Sequence, residues 1–455
     1  MAKRKAWKWV LGLFAGMGLI LGGIVLDAHR RAGAILDRER AAVKAQVAAW
    51  LARDHTRPPG LAEPIDGNAW DDYGPALAQL AAMPSELTGL LPRLADSSDH
   101  GPEDFNPDDH AIQNVILEYR PALEQLRRGA RRRTVHPPAQ TLSSQDDLQF
   151  GDALLACKFL ADIVAHEHRM GRDDEALAAS VLPLALAQDY GRSGTLMESM
   201  LQFVGEDVVL EELKIAFEEG VLGPAALAAF AAELNRLDAS RPDFVDCWKG
   251  TELVEKLAVI DADWDGLFPF ISGVGSPPTR PHVWPSWRAL FSERITRAQA
   301  AVLCSDHFGS VETLRPLPPW KRIEAAEKID QGIRPDGIQR STGNLLLDAR
   351  LPSFTHPFQR DAAMLLQRTL LRLAVALSRF ESDRGRPADT LQDLVPTYVR
   401  EVPLCPLTGL PLQYRAGKVW SLGTNRLDDG GRVDPTDSDW TGGTGDVVWT
   451  VKSRK

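Results

Sequence analysis

The chain is poor in cysteine, carries no excess of positive charge, and holds no catalytic signature that spacing alone would reveal. Its four cysteines, Cys157, Cys247, Cys304 and Cys405, are scattered over 455 residues. No two form a C-x-x-C pair, which excludes a zinc ribbon or a thioredoxin-like motif. Their density is too low for a disulfide scaffold, although an even number permits pairing in an oxidising compartment. Cys157 falls in an apolar helical stretch and reads as a buried free thiol. The G-x-S-x-G elbow is missing, since Gly191-Arg192-Ser193-Gly194 is one residue short. Neither G-x-x-x-x-G-K-[ST] nor G-x-G-x-x-G occurs, so no phosphate-cradling loop is encoded. The formal net charge of -10 argues against a nucleic-acid partner, because phosphate binding needs a positive face.

What is present suits a folded protein of two or three domains, at 44% hydrophobic and 25% charged residues. One basic run stands out: Arg127, Arg128, Arg131, Arg132 and Arg133. It closes a predicted helix, where cations suit the negative end of the dipole. The run reads as a solvated face or as an anion or lipid-headgroup site.

The N-terminus predicts a transmembrane helix. Residues 1–8 carry Lys3, Arg4, Lys5 and Lys8 and no acid, and residues 9–26 carry no charge. Those 18 residues span about 27 Å as a helix, enough to cross a bilayer core. Trp7 and Trp9 fall where an interfacial aromatic belt sits. An uncleaved anchor is favoured over a signal peptide. A cut after Ala28 would need a small residue where Leu26 stands, and a cut after Ala34 would follow His29, Arg30 and Arg31. The basic tail predicts an N-terminus inside, although Arg30, Arg31, Arg38 and Arg40 weaken the asymmetry. Gly12/Gly16 and Gly18/Gly22 have G-x-x-x-G spacing, which permits a homodimer through this helix.

The middle reads as helix after helix: a juxtamembrane helix within 27–60, a helical domain over 61–335, and a linker over 336–360. Pro75 is expected at the first position of a short helix, and Asp108 or Asp109 at the start of another. Ile112, Ile116, Tyr119 and Leu123 form one stripe, and long helices are expected over 148–170, 175–189, 196–219 and 224–237. The phrase 171–177, GRDDEAL, resembles the turn of a tetratricopeptide repeat. A single unit implies a helical-hairpin bundle that is only solenoid-like. Residues 261–287 are rich in Pro, Gly and Trp and read as an ordered loop. Two polar clusters require weighing. The acids and histidines of 96–110 read as a solvated acidic loop or a hard-cation site. His166-Glu167-His168 lacks the i, i+4 spacing of H-E-x-x-H, but Asp162 and His166 share a face. The cluster is a polar helix end or, alternatively, a metal site.

Residues 361–451 are the most ordered pattern in the chain. Leu366, Leu370, Leu373, Leu377 and Phe380 make one helical stripe. Gly385-Arg386-Pro387 ends it, and Asp389 with Gln392 predicts a capping box. Residues 412–415 and 419–422 read as a hairpin, with Val447, Trp449 and Val451 alternating in a half-buried last strand. The expected fold is mainly α with a C-terminal α+β module, a long helix packed on a small antiparallel sheet.

This module resembles the globular end of the major pseudopilins of type II secretion. The resemblance is carried by Gly385, Pro387, Leu394, Pro396, Tyr398, Pro403, Pro406, Gly409, Pro411, Tyr414, Ser421, Leu422, Gly423, Asp429 and Gly430. Cys405 stands where the family usually has an Asp before the Pro. The resemblance implies calcium in the loop before the last strand. Local chemistry agrees, because Asp428, Asp429, Asp434, Asp437, Asp439 and Asp446 lie among glycines and calcium takes oxygen ligands on flexible turns. Residues 437–442 match the first half of an EF-hand loop, but Val448 replaces its closing Glu. The family's leader pattern has no match before the apolar helix, and about 330 residues part that helix from the module. A filament subunit is therefore not expected.

The combined expectation is a non-enzymatic, single-pass protein of the bacterial inner membrane with its bulk in the periplasm. The helical domain would engage envelope proteins, secretion components among them. An envelope metal-dependent hydrolase using Asp162, His166, Glu167 or His168, and a calcium-dependent surface-binding module unrelated to secretion, are the alternatives.

Overall fold

The computed structural model describes residues 2–53, 56–57, 64–94, 108–135, 148–192, 194–261, 287–333, 352–433 and 445–452, with backbone alone for 2–21, 51, 148–150 and 287–293. In chain order the elements are α1 (Ala2–Leu51), β1 (Ile65–Asn68), α2 (Trp70–Ala81), α3 (Ser85–Thr88), α4 (Asp109–Glu118), α5 (Arg120–Ala130) and β2 (Arg132–Thr134). There follow α6 (Leu148–Arg169), α7 (Asp173–Ala179), α8 (Val181–Gly191), α9 (Leu196–Glu219), α10 (Pro224–Ala239), α11 (Val245–Asp261), α12 (Trp287–Gly309) and α13 (Pro319–Ile333). The chain ends with α14 (Thr355–Arg384), β3 (Gln413–Arg415), β4 (Lys418–Ser421) and β5 (Val447–Thr450). The protein is mainly helical, with a small antiparallel sheet near its C-terminus.

Capping and proline chemistry account for most boundaries. Asp108 caps α4, its carboxylate accepting from the N–H groups of His110 (3.0 Å) and Ala111 (3.3 Å). The stripe from Ile112 to Leu123 is divided at Tyr119, because Pro121 occupies the first turn of α5 and cannot donate to a continuing ladder. The helix expected over 175–189 divides at Ser180, with Pro183 in the first turn of α8 and the Ser180 hydroxyl donating to the Leu177 carbonyl (2.7 Å). The expectation for Pro75 is corrected, since it lies inside α2, which starts five residues earlier than its proline. The basic run closes a helix as expected, with Arg127 and Arg128 in the last turn of α5, but it continues past Ala130, where Arg132–Thr134 pairs in parallel with Ile65–Asn68. Arg132 anchors this pairing by donating to Asp72 (2.6 Å) and to the Asp66 carbonyl.

Among the described residues no helix is long and apolar enough to cross a membrane. Most of the 9–26 run, with both G-x-x-x-G pairs, falls where only backbone is described; that backbone is one helix continuous with residues 27–51. The tryptophan-rich stretch 262–286, residues 96–107 of the acidic loop and residues 336–351 of the expected linker lie outside the described residues; the end of that linker is corrected, since α14 already starts at Thr355.

The chain divides into two compact units. The smaller holds residues 1–53, 249–313 and 328–353. In it α1 packs on α12, burying Ala32, Leu36 and Val43. Lys256, itself buried, approaches Glu39 (3.5 Å) and Glu252 (3.7 Å), and Arg40 pairs with Asp261 (3.0 Å).

The larger unit holds residues 54–248, 314–327 and 354–455. Its helices α6, α8 and α9 pack together, and α14 lies against α9 and α10. Aromatic packing closes one end, where Trp248 meets Phe354 and Phe244 meets Phe358 edge-on. Charge closes the middle. Glu206 on α9 is fully buried and accepts from Gln202 (2.6 Å), Arg241 (3.1 Å) and Arg368 (3.3 Å). Arg368, from α14, is also buried and pairs with Asp238 of α10 at 3.2 Å. Burial disfavours the Glu206 carboxylate, but Arg241 and Arg368 outweigh that penalty and hold its pKa below the ordinary value of 4.5.

Because the folded pKa is depressed, this stabilisation is present above the unfolded value and is lost as pH falls through the folded one. Glu206→Gln strands two buried guanidinium groups and is expected to cost about 3–5 kcal/mol. A urea titration at pH 7 measures the loss, and the gap from the unsubstituted protein should shrink in acid.

Candidate functional site

The C-terminal module carries the candidate site. Helix α14 ends at Gly385, which takes the left-handed conformation (φ 66°) and donates to the Glu381 carbonyl (2.8 Å). The capping box that follows is one residue later than expected. Thr390, not Asp389, is the cap, and Asp393, not Gln392, accepts from the N–H groups of Thr390 (3.0 Å) and Asp389 (2.9 Å). A carboxylate at this position accepts both N–H groups without desolvation, since Asp393 is on the surface. The short helix it opens, Leu391–Leu394, is a 3-10 turn whose Leu391 and Leu394 are buried.

The hairpin forms as expected, over a tighter turn. Ala416 and Gly417 both have positive φ (49° and 81°), so two residues make the turn and Lys418 already pairs with Arg415. A Cβ on Gly417 would meet the Val451 carbonyl at 2.8 Å, so glycine is required there for space as well as conformation. The sheet order is β3-β4-β5, antiparallel throughout. The last strand departs from the expected alternation, because Val447, Val448 and Trp449 are all buried. Helices α9 and α14 both pack on β5. Trp449 donates to Gln367 of α14 (2.9 Å) and stands 6.2 Å from the Phe217 ring of α9.

Between β4 and β5 the chain returns through the aspartate-rich loop. Asp434, Asp437 and Asp439 lie outside the described residues. Asp428, Asp429 and Asp446 are described. Asp428 accepts from Trp420 Nε1 (3.1 Å) and from the Gly430 N–H (3.0 Å). Asp429 accepts from Asn425 Nδ2 (3.3 Å). Asp446 is buried; one oxygen accepts from the Gly431 N–H (2.8 Å), while Oδ1 has no partner among the described residues. Burial raises the Asp446 pKa above the ordinary carboxylate value; the Gly431 bond opposes this, and the charges of Asp429 and Asp428 add to it. The unpartnered Asp446 oxygen is a donor of the kind a hard cation takes, but Asp428, Asp429 and Asp446 do not by themselves form a group that could hold one.

The histidine cluster is not brought together. His166 sets Nδ1 against Asp109 (2.9 Å) and Nε2 against Gln113 (3.1 Å), both on α4. His168 instead pairs with Asp173 (2.7 Å), and Glu167 pairs with Arg172. Asp162 accepts from the Arg93 N–H (3.1 Å) through Oδ1, and its buried Oδ2 is unpartnered among the described residues. His166 thus joins α6 to α4, His168 and Glu167 both close the α6–α7 turn, and Asp162 holds the Arg93 backbone. Among the described residues, no group of three or more His, Cys, Asp or Glu could hold a metal ion. None of the four cysteines is in a disulfide and all are buried, as read for Cys157, whose thiol burial pushes up to about 12 with Glu206 adding to the rise.

No family model, curated protein or solved structure matches this chain. The geometry therefore carries the functional argument alone. Sequence reasoning missed Glu206, Arg241 and Arg368. The available signal was charge inside apolar periodicity: Arg368 falls between Leu366 and Leu370 of the α14 stripe.

Burial lifts the Asp162 carboxyl to about 7, against the Arg93 N–H and charge, with Glu212 adding to the rise and Arg169 opposing it. A folded pKa above the unfolded 3.8 means stability is greatest below pH 4 and is lost as pH rises through 7. Asp162→Asn should flatten that dependence. At pH 8 thermal denaturation should find the variant more stable by on the order of 3 kcal/mol, and near pH 4 the two should agree.

Proposed function

We propose that this chain is a non-enzymatic component of the bacterial envelope. In this reading the 9–26 segment anchors it once in the inner membrane, the bulk is periplasmic, and the C-terminal end is a pseudopilin-like module serving or contacting a secretion machine. The observation that carries the reading is the ordered succession in residues 355–452. It runs from a long helix and a left-handed glycine through a capped turn, a proline-rich crossing and a hairpin, then an aspartate loop and a last strand on the helix. That succession coincides with the positions carrying the resemblance. The anchor is supported by Ile24, Val25 and Leu26, which stand exposed on α1 where the uncharged run ends. The stacked helix pairs of α6–α10 supply the protein-binding surface, in the manner of a short solenoid.

Calcium belongs to the same reading. Asp428, Asp429 and Asp446 would hold it, with Asp434, Asp437 and Asp439 completing the oxygen set. It would offset the burial, and with it the charges of Asp429 and Asp428, that raise the Asp446 pKa, and it would tie the loop to β5. Binding to the folded form alone raises stability.

Crosslinking in intact membranes, followed by purification of the full chain and mass spectrometry, tests the role. Secretion-machine proteins should be recovered; repeated absence favours a surface-binding module without that link. For calcium, saturating ion over EDTA should raise the melting temperature by about 5 °C. Asp446→Asn and Asp437→Ala should abolish the rise. In EDTA, Asp446→Asn should melt no lower than the unsubstituted protein, because it removes a repelled charge. An identical melt with calcium and with EDTA would sink the metal assignment while leaving the architecture standing.

A further inference from the structure

A cavity of about 660 Å³ opens in the larger unit among α5, α6, α7, α8 and α10. Its size falls in the range of about 300–1,000 Å³ usual for small-molecule sites. The floor is apolar: Leu123 of α5, Leu160 and Ile163 of α6, and Leu182 and Ala185 of α8. The rim is basic. Arg127, Arg131, Arg132 and Arg133 line one edge, and Arg57 and Arg236 complete it. This is the run that the sequence left between a solvated face and an anion site. Arg127 reaches the edge from the last turn of α5, and Arg132 and Arg133 from β2.

The basic rim is only partly neutralised. Arg57 is committed to Asp189, Arg132 to Asp72, Arg133 to Asp66 (3.0 Å) and Arg236 to Glu233 (2.7 Å). Three carboxylates also line the cavity: Glu233 pairs with Arg236, Glu167 is held by Arg172, and the charge of Glu175 acts on the same Arg172. Arg127 is exposed and has no ion pair among the described residues. A bare anion would have no use for the leucine floor, and a neutral hydrocarbon would have none for the guanidinium rim. We infer that this cavity binds an amphiphile with a single apolar chain and an anionic phosphate head, the chain on the α5–α6–α8 floor and the head at Arg127. The site is separate from the aspartate loop and does not depend on the envelope role.

The test uses the full chain in nanodiscs of neutral phosphatidylcholine, photolabelled with a diazirine-bearing dodecyl phosphate and mapped by peptide mass spectrometry. Label should concentrate in peptides of α5, α6 and α8. Unlabelled dodecyl phosphate in about tenfold excess over the probe should reduce it about tenfold, as expected for two ligands of similar affinity at one site, whereas dodecanol and inorganic phosphate should have no comparable effect. Arg127→Glu should remove most of the label through the head. Leu182→Trp should remove it through the floor, and circular dichroism should report both variants folded. Lysophosphatidic acid competing better than dodecyl phosphate assigns a membrane lipid as the source, and the reverse assigns a free amphiphile. Label spread outside these helices, displacement by inorganic phosphate alone, or label unchanged in either folded variant overturns the inference. If one variant unfolds, the competition series and the other variant still decide.

Discussion

Glu206 lies fully buried between the guanidinium groups of Arg241 and Arg368, and the larger unit converges on it. One carboxylate joins α9 to α14 directly, to α10 through Asp238, and to α8 through Gln188, which accepts from Arg368 at 3.2 Å. Apolar burial brings these helices together but does not choose among neighbouring registers. A buried ion cluster does, because a slip by one turn would leave charges without partners in a medium that solvates them poorly. Arg241 also reaches Asp361 at 3.6 Å, so α14 is held at two levels. Burial keeps the Asp361 carboxyl up near 6, with Arg241 and Arg322 opposing that rise. The cluster therefore becomes more neutral in mild acid at one end while Glu206 stays charged at the other.

The local order of the fold was legible in the sequence, and its long-range pairing was not. Asp108 as a cap, the α14 stripe with its glycine stop, the hairpin and the last strand all rest on interactions within a few residues. Such interactions leave a periodic or positional trace. The errors share a cause as well. The capping box moved from Asp389 to Thr390 because two neighbouring residues offered equivalent side chains and burial of Leu391 and Leu394 selected the frame. The basic run was read as closing a helix, as Arg127 and Arg128 do, but the strand at Arg132–Thr134 was missed because its partner, Ile65–Asn68, is distant in sequence and the pairing is short. Val448 was expected to face outward on strand alternation, but it is buried, and nothing within the strand itself announces that.

The candidate sites divide along the same line. Spacing found the aspartate loop, and the structure adds what spacing could not: a buried oxygen of Asp446 with no partner among the described residues. Spacing also found Asp162, His166, Glu167 and His168, but composition cannot tell a cluster that converges from one that diverges. Here α4 takes His166, α7 takes His168, and the Arg93 backbone takes Asp162. The residues secure three junctions of the helical core. The arginine-edged cavity was invisible for the opposite reason, since its floor is assembled from three helices whose apolar residues look like ordinary core.

The double covering of β5 has a consequence for how the chain can be divided. A segment that reads as a self-contained module has its final strand wedged between its own helix and α9, with the Lys452 N–H donating to the Phe217 carbonyl at 2.9 Å. Cutting before residue 354 would bare Trp449 on one side and the α9 face on the other. The C-terminal end is thus no detachable cartridge. Whatever contacts it makes are felt by the helical core, and grafting it onto another scaffold would require carrying α9 along.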